Sequence, residues 1–165
     1  MYIEFDSLPA QARVWIYQSS RDFTNSEVSE ISTTVQKFIS QWQAHGADLQ
    51  ASFQIMYNRF IIIGANQDFH APTGCSIDSS VAVIRQIEQH LRISLFERTQ
   101  IPFKADGGEI QTTPMNELKE QVAKGEINVD SITFNNLVEN VGQFKTKWEV
   151  PAKETWLKKY FGVTV

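Results

Sequence analysis

The chain has 165 residues, 42% of them hydrophobic and 21% charged, with a formal net charge of −4 and a single cysteine. That length and balance suit a folded globular protein and exclude a disordered one, and the scattered Lys and Arg give no electrostatic footprint for nucleic acid. One cysteine excludes an internal disulfide, no apolar run approaches the ~20 residues of a membrane span, and Met1–Asp6 has no signal-peptide pattern, so the expected setting is cytoplasmic, without membrane insertion.

Arg13–Tyr17 is β-branched and aromatic and reads as a strand. Thr24-Asn25-Ser26-Glu27 has capping-box spacing, and Val28, Ile31, Val35, Phe38, Ile39 and Trp42 follow at helical intervals. This predicts an amphipathic helix from Asn25 to about Ala44, ended by Gly46. Ala51–Met56 and Arg59–Ile63 are strand-like runs joined around Tyr57-Asn58, a hairpin. Cys75 or Ser76 can cap a second helix carrying Val81, Ile84, Ile87, His90 and Leu91. A strand near Ile101–Lys104 turns at Asp106-Gly107-Gly108 toward Ile110–Thr112.

The resulting order, β-α-β-β-α-β, is the split βαβ pattern of α+β ferredoxin-like folds, with two helices on one face of the sheet. Residues 1–112 are expected to form this core, with an internal boundary in the segment 105–113. In the first strand Val14 and Ile16 share one face and Trp15 and Tyr17 the other, so the face without helices needs a cover for Trp15 and Tyr17. Residues 113–165 are the expected cover, an α/β extension packed on the core within one compact domain; a second subunit in a homodimer is the alternative. In that extension Thr113-Pro114 opens a short helix with Met115, Leu118 and Val122, stopped by Gly125. Ser131–Phe134 reads as a strand, and Val150-Pro151 opens a last helix striped by Trp156, Leu157, Tyr160 and Phe161 before Gly162, with Trp148 just ahead.

The up-down order brings the end of the first helix and the start of the second to one edge. His45 is thereby expected near Cys75, with Asp48 and His70 in loops and Arg13 opening the first strand at the same edge. A thiol at a helix N-terminus beside imidazoles and a carboxylate suits a Cys–His nucleophile, with Cys75 and His45 as the catalytic candidates, or a small anion site; Arg13, Asp48, His70, Ser76 and Asp78 are the binding candidates at this edge. The plain structural readings stand beside these: His45-Gly46 as a helix end, Cys75 as a small residue in a crowded turn, and Asp78 as a first-turn carboxylate that also disfavours a thiolate. His45, His70, Cys75 and His90 lack paired ligand spacing, so no metal is expected. Gly142-Gln143-Phe144-Lys145-Thr146 lacks the second glycine of a phosphate loop and Gly107-Gly108 is no dinucleotide fingerprint, so no cofactor is expected either.

At Trp42–Leu49, Tyr57–Phe60, Gly74–Asp78, Phe134–Val138 and Trp148–Pro151 the chain resembles, over nearly its whole length, a family of short bacterial proteins catalogued as "ABC transporter ATPase". That label implies nucleotide hydrolysis through Walker motifs, and this chain contains neither those motifs nor a signature motif. Leu118–Phe134, with a helix, Gly125, Ile127, Asp130 and a strand, is similar to small GYF-like peptide-binding modules. The expected function is a non-catalytic domain that binds a small ligand or a protein partner. A thiol-dependent enzyme or redox sensor using Cys75 is the alternative, and nucleic acid is not an expected partner.

Overall fold

The computed structural model describes residues 1–162 as an α+β protein in two compact units, Met1–Glu97 with Glu139–Lys145, and Arg98–Val138 with the chain from Thr146 onward. The expected extension therefore loses its last three positions, 163–165, to the region outside the described residues.

The first unit contains β1 (Arg13–Gln18), α1 (Asn25–Ser40), the two-residue strands β2 (Gln43–Ala44) and β3 (Ala47–Asp48), β4 (Ala51–Met56), β5 (Phe60–Ala65) and α2 (Gly74–Leu91). β1, β5 and β4 form an antiparallel sheet in that order. The β4–β5 hairpin turns on Tyr57 and Asn58, both in the left-handed region at φ 54° and 51°, the geometry that matches a two-residue turn to the strand twist. α1 starts on the capping box read from the sequence: Glu27 N–H donates to Thr24 Oγ1 at 3.2 Å and Thr24 N–H donates to Glu27 Oε1 at 2.9 Å.

Trp15 pairs with Ile63 and Tyr17 with Ile61, and this face packs against Ile31, Val35 and Ile39 of α1 and Ile84 and Ile87 of α2. Trp15 and Tyr17 therefore lie under the helices, a correction to the expectation that they sit on the uncovered face. The reason is steric: the opposite face carries the small residues Gly64 and Ser52 beside Val14, and there Phe5 and Leu8 approach the backbone. A methyl group on Gly64 would lie 2.7 Å from Leu8 Cδ1. Phe144, from the returning segment, meets Phe5 edge to face at 5.8 Å.

The second unit contains β6 (Gln100–Lys104), β7 (Ile110–Pro114), α3 (Leu118–Ala123), β8 (Ile132–Phe134) and β9 (Glu149–Pro151); α4 (Val141–Lys147), between β8 and β9 in the chain, belongs to the first unit as far as Lys145. Its sheet runs β7-β6-β8-β9, and its core gathers Ile101, Phe103, Leu118, Ile127, Ala152 and Leu157. The strand near Ile101–Lys104 thus belongs to this sheet instead of completing a four-stranded sheet beside β1. The segment 105–113 is accordingly the turn and outgoing strand of the β6–β7 hairpin, and the units divide at Glu97–Arg98. The expected last helix is also corrected: Val150 and Pro151 close β9, and two short 3₁₀ turns follow, Ala152–Glu154 and Trp156–Phe161. Each end of β1 carries one isolated bridge, Gln18 with Phe96 in parallel and Arg13 with Asn140 in antiparallel orientation.

Among the described residues, no helix is long and apolar enough to cross a membrane.

Candidate functional site

α1 ends at Ser40, four residues short of the expected Ala44, because the chain turns through Trp42 into the β2–β3 hairpin. His45, at φ 51°, and Gly46, at φ 77°, form its tip. His45 is therefore an exposed turn residue and not a helix end. Asp48 is held across the hairpin, its Oδ1 accepting from Gln43 Nε2 at 2.9 Å.

α2 is capped by Thr73, two residues ahead of Cys75. Ser76 N–H donates to Thr73 Oγ1 at 3.2 Å, and Thr73 N–H donates to Ser76 Oγ at 2.7 Å. The buried Ser76 hydroxyl is consumed by this cap, donating as well to the Thr73 carbonyl at 2.8 Å. Moving the cap to Thr73 puts Asp78 beyond the first turn, where the helix dipole has little hold on it. Cys75, second in the helix, is exposed.

The shared edge is real. Trp42, 2% exposed, donates its indole N–H to the Ser76 carbonyl at 2.8 Å, and His70 Nε2 donates to the Ala44 carbonyl at 3.0 Å, which fixes the Nε2–H tautomer. Trp15 packs edge-on to Trp42 at 6.0 Å, and the exposed Arg13 guanidinium lies 4.9 Å from the Trp15 ring. Arg13, His70 and Ser76 thus join one structural network with Trp42. Among the described residues the Cys75 thiol makes no hydrogen bond to either imidazole, and no group of three or more His, Cys, Asp and Glu side chains could hold a metal ion.

Among the described residues, cavities lie elsewhere. A groove of about 300 Å³ runs between α1 and α2 over Ile31, Ile87 and Leu91, with His90 Nε2 and Glu30 Oε2 3.5 Å apart at its rim.

The larger one, about 600 Å³, lies within the second unit and escaped the sequence reading. It opens where β6 and β8 part: their ladder holds one pair, Phe103 with Thr133. Pro102 has no N–H to give a neighbouring strand, and its carbonyl is taken by the Thr133 hydroxyl at 2.7 Å. One wall is the β6–β7 hairpin, whose turn is closed by Ala105 N–H to Glu109 O at 2.8 Å and needs glycine at Gly108, φ 90°. The other wall follows α3, which stops at Gly125, φ 77°, before Ile127 anchors the chain in the core. Asn128 then bends the backbone by accepting from Asp130 N–H at 2.9 Å, while Asn128 N–H donates to Ser131 Oγ at 2.9 Å.

Two of the charged groups lining this cleft are neutralised: Lys104 pairs with Glu149 at 2.9 Å and Asp130 with Lys153 at 3.0 Å. Asp106 and Glu126, one on each wall, have no ion-pair partner among the described residues, and the side-chain amides of Gln111 and Gln121 have no hydrogen-bond partner there. The sequence signals were Asp106-Gly107-Gly108 and Gly125, which periodicity analysis treats as stops between elements.

No family model matches the chain, and neither the curated proteins nor the solved structures contain a match.

Proposed function

We propose that this chain is a non-catalytic binding protein whose ligand occupies the polar cleft between the β6–β7 hairpin and the α3–β8 segment. The observation that carries this reading is the cleft's volume of about 600 Å³ together with unpartnered polar side chains on both walls. Small-ligand sites have this size, and a few convergent polar groups fix the orientation of what they hold. Binding is favoured over catalysis because the lining contains no His or Cys, and so no nucleophile with an imidazole to activate it. The resemblance of Leu118–Phe134 to GYF-like modules supports the same surface, since Gln121, Glu126, Asn128 and Ser131 of that segment line it. The wider resemblance to the short bacterial family supports kinship and brings no hydrolytic machinery with it.

The β-α-β-β-α run of the first unit fits a ferredoxin-like arrangement in which residues 98–138 interrupt the fourth strand. In this reading the antiparallel Arg13–Asn140 bridge marks the place of that strand, and the parallel Gln18–Phe96 bridge lies outside it.

Side-chain amide NMR tests the cleft. Small polar fragments screened against the full-length protein are expected to shift the Gln111 and Gln121 side-chain signals first. Fragments that bind but shift only first-unit signals would remove the reading.

A second reading, thiol chemistry, rests on the exposed Cys75 sulfur at the second position of the 18-residue α2, where backbone N–H groups favour an anion. It requires iodoacetamide to alkylate Cys75 at pH 7 faster than it alkylates free cysteine. A rate equal to or below that of free cysteine ends it.

A further inference from the structure

We infer that the ligand of this cleft is a cation carrying a protonated amine or a guanidinium group, an inference that rests on the cleft being the binding site. The argument is one of charge already spoken for. Lys104, the cation of the lining, is engaged by Glu149, and Asp130 is engaged by Lys153. What remains for a ligand is the pair of carboxylates on Asp106 and Glu126 and the amides of Gln111 and Gln121.

An anionic ligand would meet two unmatched negative charges and no free positive one. A neutral ligand would satisfy the amides and leave both carboxylates facing it. An alkylammonium or guanidinium group reverses this: each N–H can donate to a carboxylate or an amide oxygen, and charge-assisted bonds of this kind are stronger than neutral ones. A concave wall with one sign of charge also concentrates the counter-charge in the cleft before contact is made.

The two carboxylates come from separate walls, each fixed by its own backbone bonds. Asp106 sits in the turn closed by Ala105 and Glu109, and Glu126 follows α3 with its N–H donating to the Gln121 carbonyl at 3.0 Å. A linear molecule with amines at both ends, or an extended peptide with a basic side chain, can satisfy both walls at once. Free polyamines and lysine-bearing peptides share this chemistry, and the experiment separates them.

Full-length protein is titrated with spermidine and with the tripeptides Gly-Lys-Gly and Gly-Gln-Gly, both N-acetylated and C-amidated so that the lysine side chain is the one cation between them, following the Gln111 and Gln121 side-chain signals. Spermidine or Gly-Lys-Gly is expected to move them while Gly-Gln-Gly does not, and the tighter binder of the two identifies the source of the cation. Asp106 and Glu126 are exposed, so the double variant D106N/E126Q keeps its fold. It is expected to bind the cation about tenfold more weakly or worse, as loss of two charge-assisted contacts implies. E120Q, which removes an exposed carboxylate outside the cleft lining, is expected to bind like the parent. Equal binding by D106N/E126Q and the parent would overturn the inference. So would neutral fragments shifting both amides while both cations leave them still, an outcome in which the cleft itself survives as a site. If neither the cations nor the fragments move these signals, the proposed function falls as well.

Discussion

Trp42 shows how one side chain can replace a longer element. Its ring closes the end of α1 against Phe38 at 5.3 Å and Trp15 at 6.0 Å, and its N–H reaches across to the Ser76 carbonyl in the first turn of α2. That bond lets α1 stop early, because the hairpin after it is tied to the neighbouring helix. Replacing Trp42 with Phe keeps an aromatic ring but removes the donor and part of the packed volume. The Ser76 carbonyl keeps its helical partner, so the loss falls short of a fully orphaned group. The expected cost is about 2 kcal/mol, from the missing hydrogen bond and the cavity combined. It is read as a lowered denaturant midpoint at unchanged slope; an unchanged midpoint would mean that the bond contributes nothing net.

Among elements, the start of α1 has the most explicit electrostatics. Arg21 grips the Glu27 carboxylate with both terminal nitrogens, at 2.7 and 2.8 Å, while Thr24 N–H also donates to it. The Arg21 guanidinium, followed by the Thr24 backbone bond, lowers the Glu27 carboxyl from an ordinary value of 4.5 to about 2. The folded state therefore binds this proton less readily than the unfolded state. The associated stability is complete above pH 4.5 and is lost as pH falls from 4.5 to 2. Arg21 is nearly half exposed, so solvent screening holds the contribution to about 1–2 kcal/mol. Glu27→Gln is expected to lose that amount at pH 7 and to flatten the parent's decline between pH 4.5 and 2, measured by urea unfolding at several pH values. A variant with the parent's full acid sensitivity in that window would assign the decline to other carboxylates.

This cap, like the Tyr57-Asn58 hairpin, was legible in the sequence because both depend on residues within four positions of one another. The shared edge of α1 and α2 was legible too, since the up-down order dictates it. The start of α2 was blurred because Thr73, Cys75 and Ser76 all suit a helix terminus, and only the reciprocal Thr73–Ser76 bonds decide among them. The partner of β6 was not legible at all: Ile101-Pro102-Phe103 states that a strand exists and says nothing of which sheet it joins. Nor was the cleft, whose walls meet through tertiary contacts between loops.

At the scale of the molecule, the feature with the widest consequence is that the first unit is discontinuous. Its three-stranded sheet ends at Ala65 and its two long helices at Leu91, yet residues 139–145 belong to it. Val14 N–H donates to the Glu139 carbonyl at 3.0 Å, Val141 N–H to Ala12 at 2.9 Å and Gly142 N–H to Ala10 at 2.8 Å. Val141, 1% exposed, and Phe144, against Phe5, add apolar cover to this segment. A fragment of residues 1–97 therefore keeps all its strands and both long helices while losing three backbone bonds and two buried side chains. Secondary structure should survive that loss better than packing does, because the helices and the ladder remain while the cover over Phe5 is gone. The fragment is expected to show near-complete far-UV circular dichroism, bind an apolar dye, and unfold with reduced cooperativity. A synthetic peptide of residues 139–147, supplying Val141 and Phe144 and the three bonds, should suppress the dye signal and sharpen unfolding in a concentration-dependent way. A fragment that unfolds as cooperatively as the intact chain and ignores the peptide would show the first unit to be complete without its returning segment.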